Sequence, residues 1–281
     1  MKKIAVVLSF LSGILLCSLY YKNYHSFPHF KNKHQYKSIL TPTQFLDYKT
    51  EKGQIPSFSA PKTLILCYDN HLLKSVLDKY KHQQCDGAFS NVCFLSDYPS
   101  VAIAKFGLFG GLNAFRLEMA IAWGVKRVIA IGTSCALQKD ISQKDIIVCE
   151  KSIRDEGTSY HYLPYGKYAY PAKKLQKKLL LTLKQLDQPY KIGTSWTTDA
   201  FFRATKEEVA HYQKEGVFCI EAEAASVLSV AKFRNIEMVV MLTVTDSYAN
   251  LKWEKAVDYK KQKLETLNTM LKIALKLADQ N

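Results

Sequence analysis

The feature that most constrains this chain is a rhythm of short apolar runs. From residue 63 onward, runs of strand length rich in β-branched residues recur at 63–67, 101–106, 127–131, 145–149, 191–195, 217–220 and 238–244. Segments with helical spacing of apolar residues separate several of them, at 71–81, 113–123, 172–186, 206–214, 222–233 and 256–278. Strands that are apolar without alternation are covered on both faces, and the intervening helices supply the cover. The expectation is an α/β fold: a single domain over 61–281, with a twisted, mostly parallel mixed central sheet flanked by helices and no internal repeat. A chain of 281 residues holds one such domain with sequence to spare.

The spare sequence lies at the N-terminus. Met1, Lys2 and Lys3 precede an apolar run from Ile4 to Tyr20, the charged start and hydrophobic stretch of an export signal. The run is near the lower length limit for a membrane span, and Leu16, Cys17 and Ser18 make a poor cleavage site. Residues 1–21 therefore read as a signal peptide or an uncleaved membrane anchor, so the protein is expected to be exported or membrane-anchored. Lysines on both sides of the run leave its orientation open. Residues 22–60 lack a sustained period, contain Pro28, Pro42 and Pro56, and read as a tether that partly packs on the domain.

The net charge of +14 comes mostly from lysines spread along the whole chain. Without an arginine-rich stripe interleaved with aromatics, or any zinc-finger, helix-turn-helix or RNA-binding motif, this is a solvated surface and not a nucleic-acid footprint. The seven cysteines show no C-x-x-C pair or histidine-flanked spacing, which argues against a metal site or a disulfide framework. Cys67, Cys149 and Cys219 fall in strand-like runs and read as core thiols.

In sheets of this kind, ligands bind beyond the carboxyl ends of the strands. Four such ends carry chemically distinctive residues: Gly107, Gly110 and Gly111; Gly132, Thr133 and Ser134; Glu221 and Glu223; and Thr245 with Asp246. The small residues at 132–134 read as a turn where backbone and hydroxyl donors can approach an anion or a sugar. Glu221 and Glu223 are two apart at a strand end, so both should point the same way and accept hydrogen bonds from a vicinal diol. The alternative for Glu223 is a first-turn acid favoured by the helix dipole. Asp246 ends an apolar strand, where partial burial would raise its pKa and suit it to general-acid work; an ordinary turn or N-cap aspartate is the alternative. Phe201 and Phe202 follow a strand, and either one ring stacks on a base or the pair belongs to the core.

Taken in order, these segments resemble the nucleoside phosphorylase family, which includes the hexameric bacterial type of purine nucleoside phosphorylase, uridine phosphorylase and the methylthioadenosine nucleosidases. The likeness runs from about Pro61 to Ala278. The stretch 107–161 is similar to the uridine phosphorylase pattern, with Gly132, Thr133, Gln138, Asp145 and the run from Arg154 to His161. The C-terminal half, with Asp199 to Phe202 and Thr243 to Asp246, is closer to the purine branch. The resemblance implies that Phe201 stacks on the base and that Glu223 binds ribose hydroxyls, with Glu221 near the base. It also implies that Thr133, with Gly132 and Gly107, lines the phosphate and ribose site, and that Asp246 protonates a purine. The implied activity is cleavage of the N-glycosidic bond of a purine nucleoside by a pentosyltransferase. Phosphorolysis is the default, with phosphate as co-substrate, no metal or organic cofactor, and a homo-oligomeric assembly. The family itself is usually cytoplasmic.

The departures are as specific as the matches. The family begins with a Gly-Asp-Pro-x-Arg turn after the first strand; this chain has Tyr68, Asp69, Asn70, His71 and Leu72 there. Ala130 stands where a second arginine is expected, Phe109 is the middle residue of the first glycine turn, and Ala222 replaces a methionine. Losing the arginine forks removes bidentate partners for phosphate. Three readings stay open: a phosphorylase whose anion is held by Arg154, Arg203 or a neighbouring subunit; a nucleosidase with Asp69 or His71 as base; and a non-catalytic, membrane-tethered nucleoside-binding protein.

Overall fold

A computed structural model describes residues 30, 32–54, 59–86, 90–142, 144–255 and 259–280. The hydrophobic segment expected over residues 1–21 lies outside the described residues. Among the described residues no helix is long and apolar enough to cross a membrane. The chain divides into two units, residues 1–36 and 37–281. The first contributes a 3-10 turn at Lys33–Gln35; everything below concerns the second.

The strands are β1 (Thr63–Cys67), β2 (His82–Asp86), β3 (Asn91–Leu95), β4 (Val101–Lys105), β5 (Arg127–Ala136), β6 (Ile147–Asp155), β7 (Tyr168–Ala169), β8 (Lys191–Thr198), β9 (Cys219–Glu221), β10 (Glu237–Ser247) and β11 (Glu254–Lys255). The helices are α1 (Pro42–Glu51), α2 (Asn70–Lys79), α3 (Gly110–Trp123), α4 (Lys173–Gln185), α5 (Lys206–Lys214), α6 (Ala224–Phe233) and α7 (Tyr259–Asp279). Helix α1, inside the stretch read as a tether, is opened by a Thr41/Gln44 capping box and lays Phe45 edge-on against Phe115 of α3 at 5.9 Å.

β4, β1, β5 and β10 lie side by side and parallel, in the order β4-β1-β5-β10. Alternate residues of these strands face opposite helical layers. Leu64, Leu66, Val128, Ala130 and Val240 pack with α3 and α6. Ile65, Cys67, Ile129, Ile131, Val239 and Met241 pack with α2, α4 and α7. This is the two-sided cover that the unbroken apolar runs demand.

The long strands do more than the sequence suggests. β5 pairs with β10 along its whole length and, through Cys135 and Ala136, with β9. β9 joins β8, β8 joins β6, and β6 returns to β10. The sheet therefore closes on itself as a ring of five strands, while β2, β3, β4 and β1 extend from it as an open wing. The expectation of a turn at Gly132, Thr133 and Ser134 is corrected: all three lie within β5, because Thr243 to Ser247 of β10 continue the ladder beside them. The strands expected to end at 149 and 195 likewise run on to Asp155 and Thr198, since they pair with each other to those points.

Candidate active site

Glu221 closes β9 and is almost fully buried. One carboxylate oxygen accepts hydrogen bonds from the hydroxyls of Thr197, Ser195 and Ser152, the first of them very short. The other accepts the N–H groups of Glu223 and Ala224, both at 2.7 Å, and so caps the start of α6. Burial pushes this carboxyl up, against the donors from Thr197, Ala224, Glu223 and Ser195 that favour its anion.

Glu223 does not share that direction. Its backbone has left the extended conformation (φ −133°, ψ −36°), so the two-residue alternation fails. The expectation that both carboxylates face one diol is corrected, since both Glu221 oxygens are already engaged within the fold. The Glu223 carboxyl accepts the Phe109 N–H at 3.0 Å. Burial, then the charge of Glu221, pushes it up to about 8.

Phe109 reaches Glu223 by adopting φ +71°, a conformation that favours glycine. Its carbonyl, and that of Gly107, accept from the Asn113 side-chain amide. A Cβ at Gly107 would lie 2.7 Å from Cδ2 of the exposed Leu112 side chain, which would have to swing aside. At Gly110 a Cβ would stand 2.0 Å from Ser226 Oγ, and this close approach seats the start of α3 on α6. Ser226 in turn donates to Glu156 at 2.7 Å. The Phe109 ring lies 6.3 Å from that of Phe201, which belongs to the 3-10 turn Phe201–Arg203 after β8. Phe201 packs against a small core containing Cys135 and Ile220, whereas Phe202 is fully exposed. Asp199 anchors this loop by accepting the Gly157 N–H at 3.0 Å.

Asp246 sits just past a bulge in β10, opposite Cys135 of β5. Its two oxygens accept from the Thr245 hydroxyl and the Trp253 indole N–H, both at 2.8 Å. Thr133, half-buried, faces Thr243 across the same ladder. The strand ends thus bring Gly107, Phe109, Phe201 and Glu223 together, and Asp246 is joined to them through Cys135, against whose cluster Phe201 packs.

One residue of this region was passed over in the sequence except as a departure from a family motif. Tyr68 follows β1, and its ring comes within 3.3 Å of where a Gly132 Cβ would stand. Its hydroxyl is buried and has no hydrogen-bond partner among the described residues. Burial, then the carboxylates of Glu223 and Glu221, pushes the phenol well above its ordinary value.

Several alternatives weighed from the sequence are decided by geometry. Arg154 is buried and spends its guanidinium on Ser159 and on the carbonyls of Leu163 and Pro164. It braces its own loop and is not available to hold an anion. Asp69 caps α2 through the N–H groups of His71 and Leu72 and pairs with Lys263 at 2.7 Å. Burial opposes its charge, but these partners win and hold its pKa below the usual range, which leaves it a poor base for activating water. Ala130 is enclosed by the α3/α6 core, so the arginine expected there has no place to go. Among the described residues no cluster of His, Cys, Asp and Glu is arranged to hold a metal ion.

Residues 98–278 match the family model for the phosphorylase superfamily. That stretch contains Gly107 through Asp246 but not Tyr68. Over 169 residues the chain is 31% identical to a DeoD-type purine nucleoside phosphorylase of Thermoanaerobacter sp. (strain X514), covering 60% of this chain and 71% of the relative. Its fold is similar to that of uridine phosphorylase from Vibrio fischeri ES114 (TM-score 0.71, 19% identity, 81% of this chain and 95% of that one). It is similar also to 5′-methylthioadenosine/S-adenosyl homocysteine nucleosidase from Campylobacter jejuni (TM-score 0.68, 16% identity, 79% and 100%).

Proposed function

Because the chain belongs to the phosphorylase superfamily, we propose that it cleaves the bond between the sugar and the base of a purine nucleoside. The observation that carries this reading is Glu223, a buried carboxyl held at about 8, beside the aromatic step formed by Phe109 and Phe201. A carboxyl that keeps its proton can both donate to and accept from a pair of sugar hydroxyls. A base lying on Phe201 comes up to the strands that carry Cys135 and Asp246. Breaking an N-glycosidic bond builds positive charge on the sugar and negative charge on the base, and a proton from Asp246 relieves the second. The sugar then passes to an acceptor: phosphate in a phosphorylase, water in a nucleosidase. In this reading Glu221 is the support that fixes α6 and Glu223, and Gly107, Gly132 and Thr133 line the sugar side.

Two further elements belong to the same proposal. Leu112 and Phe115 are exposed three apart on α3, and Leu108 is exposed just before it, which supports a homo-oligomer. The sequence of residues 1–21 supports an exported or membrane-anchored location. Light scattering of the purified protein and cell fractionation test these in turn.

The activity is tested with the full-length protein and inosine, adenosine, methylthioadenosine or uridine, following base release with and without phosphate. Purine release is the expected result. Nucleoside binding without any base release would replace the enzyme with a tethered binding protein.

A further inference from the structure

The Tyr68 hydroxyl is a buried polar group with no partner among the described residues, just past the end of a central strand and among site residues. Leaving such a group unpaired is destabilising, and at a site that binds ligand it marks a place for a hydrogen-bonding molecule. The carboxyl groups of Glu223 and Glu221 bear on it. Arg116 lies by Gly107, its Nη1 3.2 Å from where a Gly107 Cβ would stand. An inorganic phosphate carrying one to two negative charges would enter this corner beside two carboxyl groups and without the two arginines that the family resemblance leads one to expect, since Leu72 and Ala130 stand at those positions. The Tyr68 ring also fills the space in front of Gly132, coming within 3.3 Å of where a Cβ there would stand. A water molecule meets neither obstacle: it is neutral, small, and able to accept from a phenol while donating to a carboxylate.

Resting on the reading that the site cleaves a nucleoside, we propose that Tyr68 makes the acceptor water: its ring closes the corner beside Gly132 to phosphate and its hydroxyl positions the attacking water. The balance is complete without another reactant. The bond from C1′ to the base breaks with its electron pair going to the base, which takes up one proton. Water forms the new bond to C1′ and gives up one proton, which replaces the one that Asp246 gave to the base, so the products are the free base and the free sugar. Tyr68 acts as a positioning residue and is unchanged at the end of the cycle. This departs from the phosphorolysis that the family resemblance implies by default.

The test uses the full-length protein, the nucleoside that gives base release, and inorganic phosphate present or absent. Free sugar is expected in both conditions at the same rate. Tyr68→Phe keeps the ring against Gly132 and removes only the hydroxyl; it should lower kcat roughly tenfold, the scale of one hydrogen bond to a neutral partner, while KM and the melting temperature stay near wild type. A sugar 1-phosphate formed only when phosphate is present overturns the proposal, and so does a Tyr68→Phe enzyme with unchanged kcat. Absence of base release in both conditions is a different failure, since it removes the cleavage reading itself and this proposal with it.

Discussion

Replacing Glu223 with glutamine keeps an acceptor oxygen for the Phe109 N–H and removes the titration. In the wild type the carboxyl moves from an ordinary value of 4.5 to about 8 on folding. Below 4.5 both states hold the proton and the group is silent. Between 4.5 and about 8 the unfolded chain has lost a proton that the folded protein keeps, so stability falls as pH rises, by about 1.4 kcal/mol per unit. Above about 8 the loss is complete, and over the gap of about 3.5 units it amounts to about 5 kcal/mol. Glu223→Gln lacks this slope. Urea unfolding of both proteins at about pH 5.5 and about pH 7.5 should show the difference shifting toward the variant by about 3 kcal/mol. A difference independent of pH would mean that Glu223 ionises as an exposed carboxylate does, and the argument from its burial would fall.

Three other expectations concern the same site. Asp246→Asn removes the proposed acid and should slow purine release by roughly two orders of magnitude with the fold intact; steady-state rates near wild type would take Asp246 out of the chemistry. Gly110→Ala drives a methyl group into Ser226 and should cost about 1–3 kcal/mol in a thermal melt, with partial recovery on adding Ser226→Gly. Ala130→Arg puts a charge into the α3/α6 core and should lower stability by about 3 kcal/mol or more without conferring phosphate dependence; a stable, phosphate-dependent variant would show room beside β5 that the packing denies.

The order of strands and helices was legible because burial on both faces leaves long apolar runs, and the strand ends were legible because small and acidic residues interrupt those runs. The edge strand β2 was not: His82, Gln83 and Gln84 are polar, and pairing to β3, not apolar content, makes them a strand. Strand length was underread for a related reason. Ser152, Arg154 and Thr197 look like loop, yet inside a closed ring Arg154 pairs with Thr197 along the ladder and the Ser152 and Thr197 hydroxyls bond across it. Glu221 and Glu223 were read as equivalent because spacing alone carries no backbone angle, and the turn into α6 separates their roles. Tyr68 gave no local signal at all. A tyrosine after a strand is ordinary, and what distinguishes it is a missing hydrogen-bond partner, which only packing reveals.

The five-strand ring also sets the order in which this protein can be made. Its closure joins β5 to β10, whose first paired residues, Arg127 and Glu237, lie far apart along the chain. Until residues 237–247 have left the ribosome, β5 has one side open and β6 lacks a neighbour, so the ring cannot form during synthesis of its first four strands. Loop closure over such a span delays the reward of pairing and leaves apolar edges waiting. Any truncation before β10 therefore yields no smaller stable version of the fold, and folding should begin in earnest only when the chain is nearly complete.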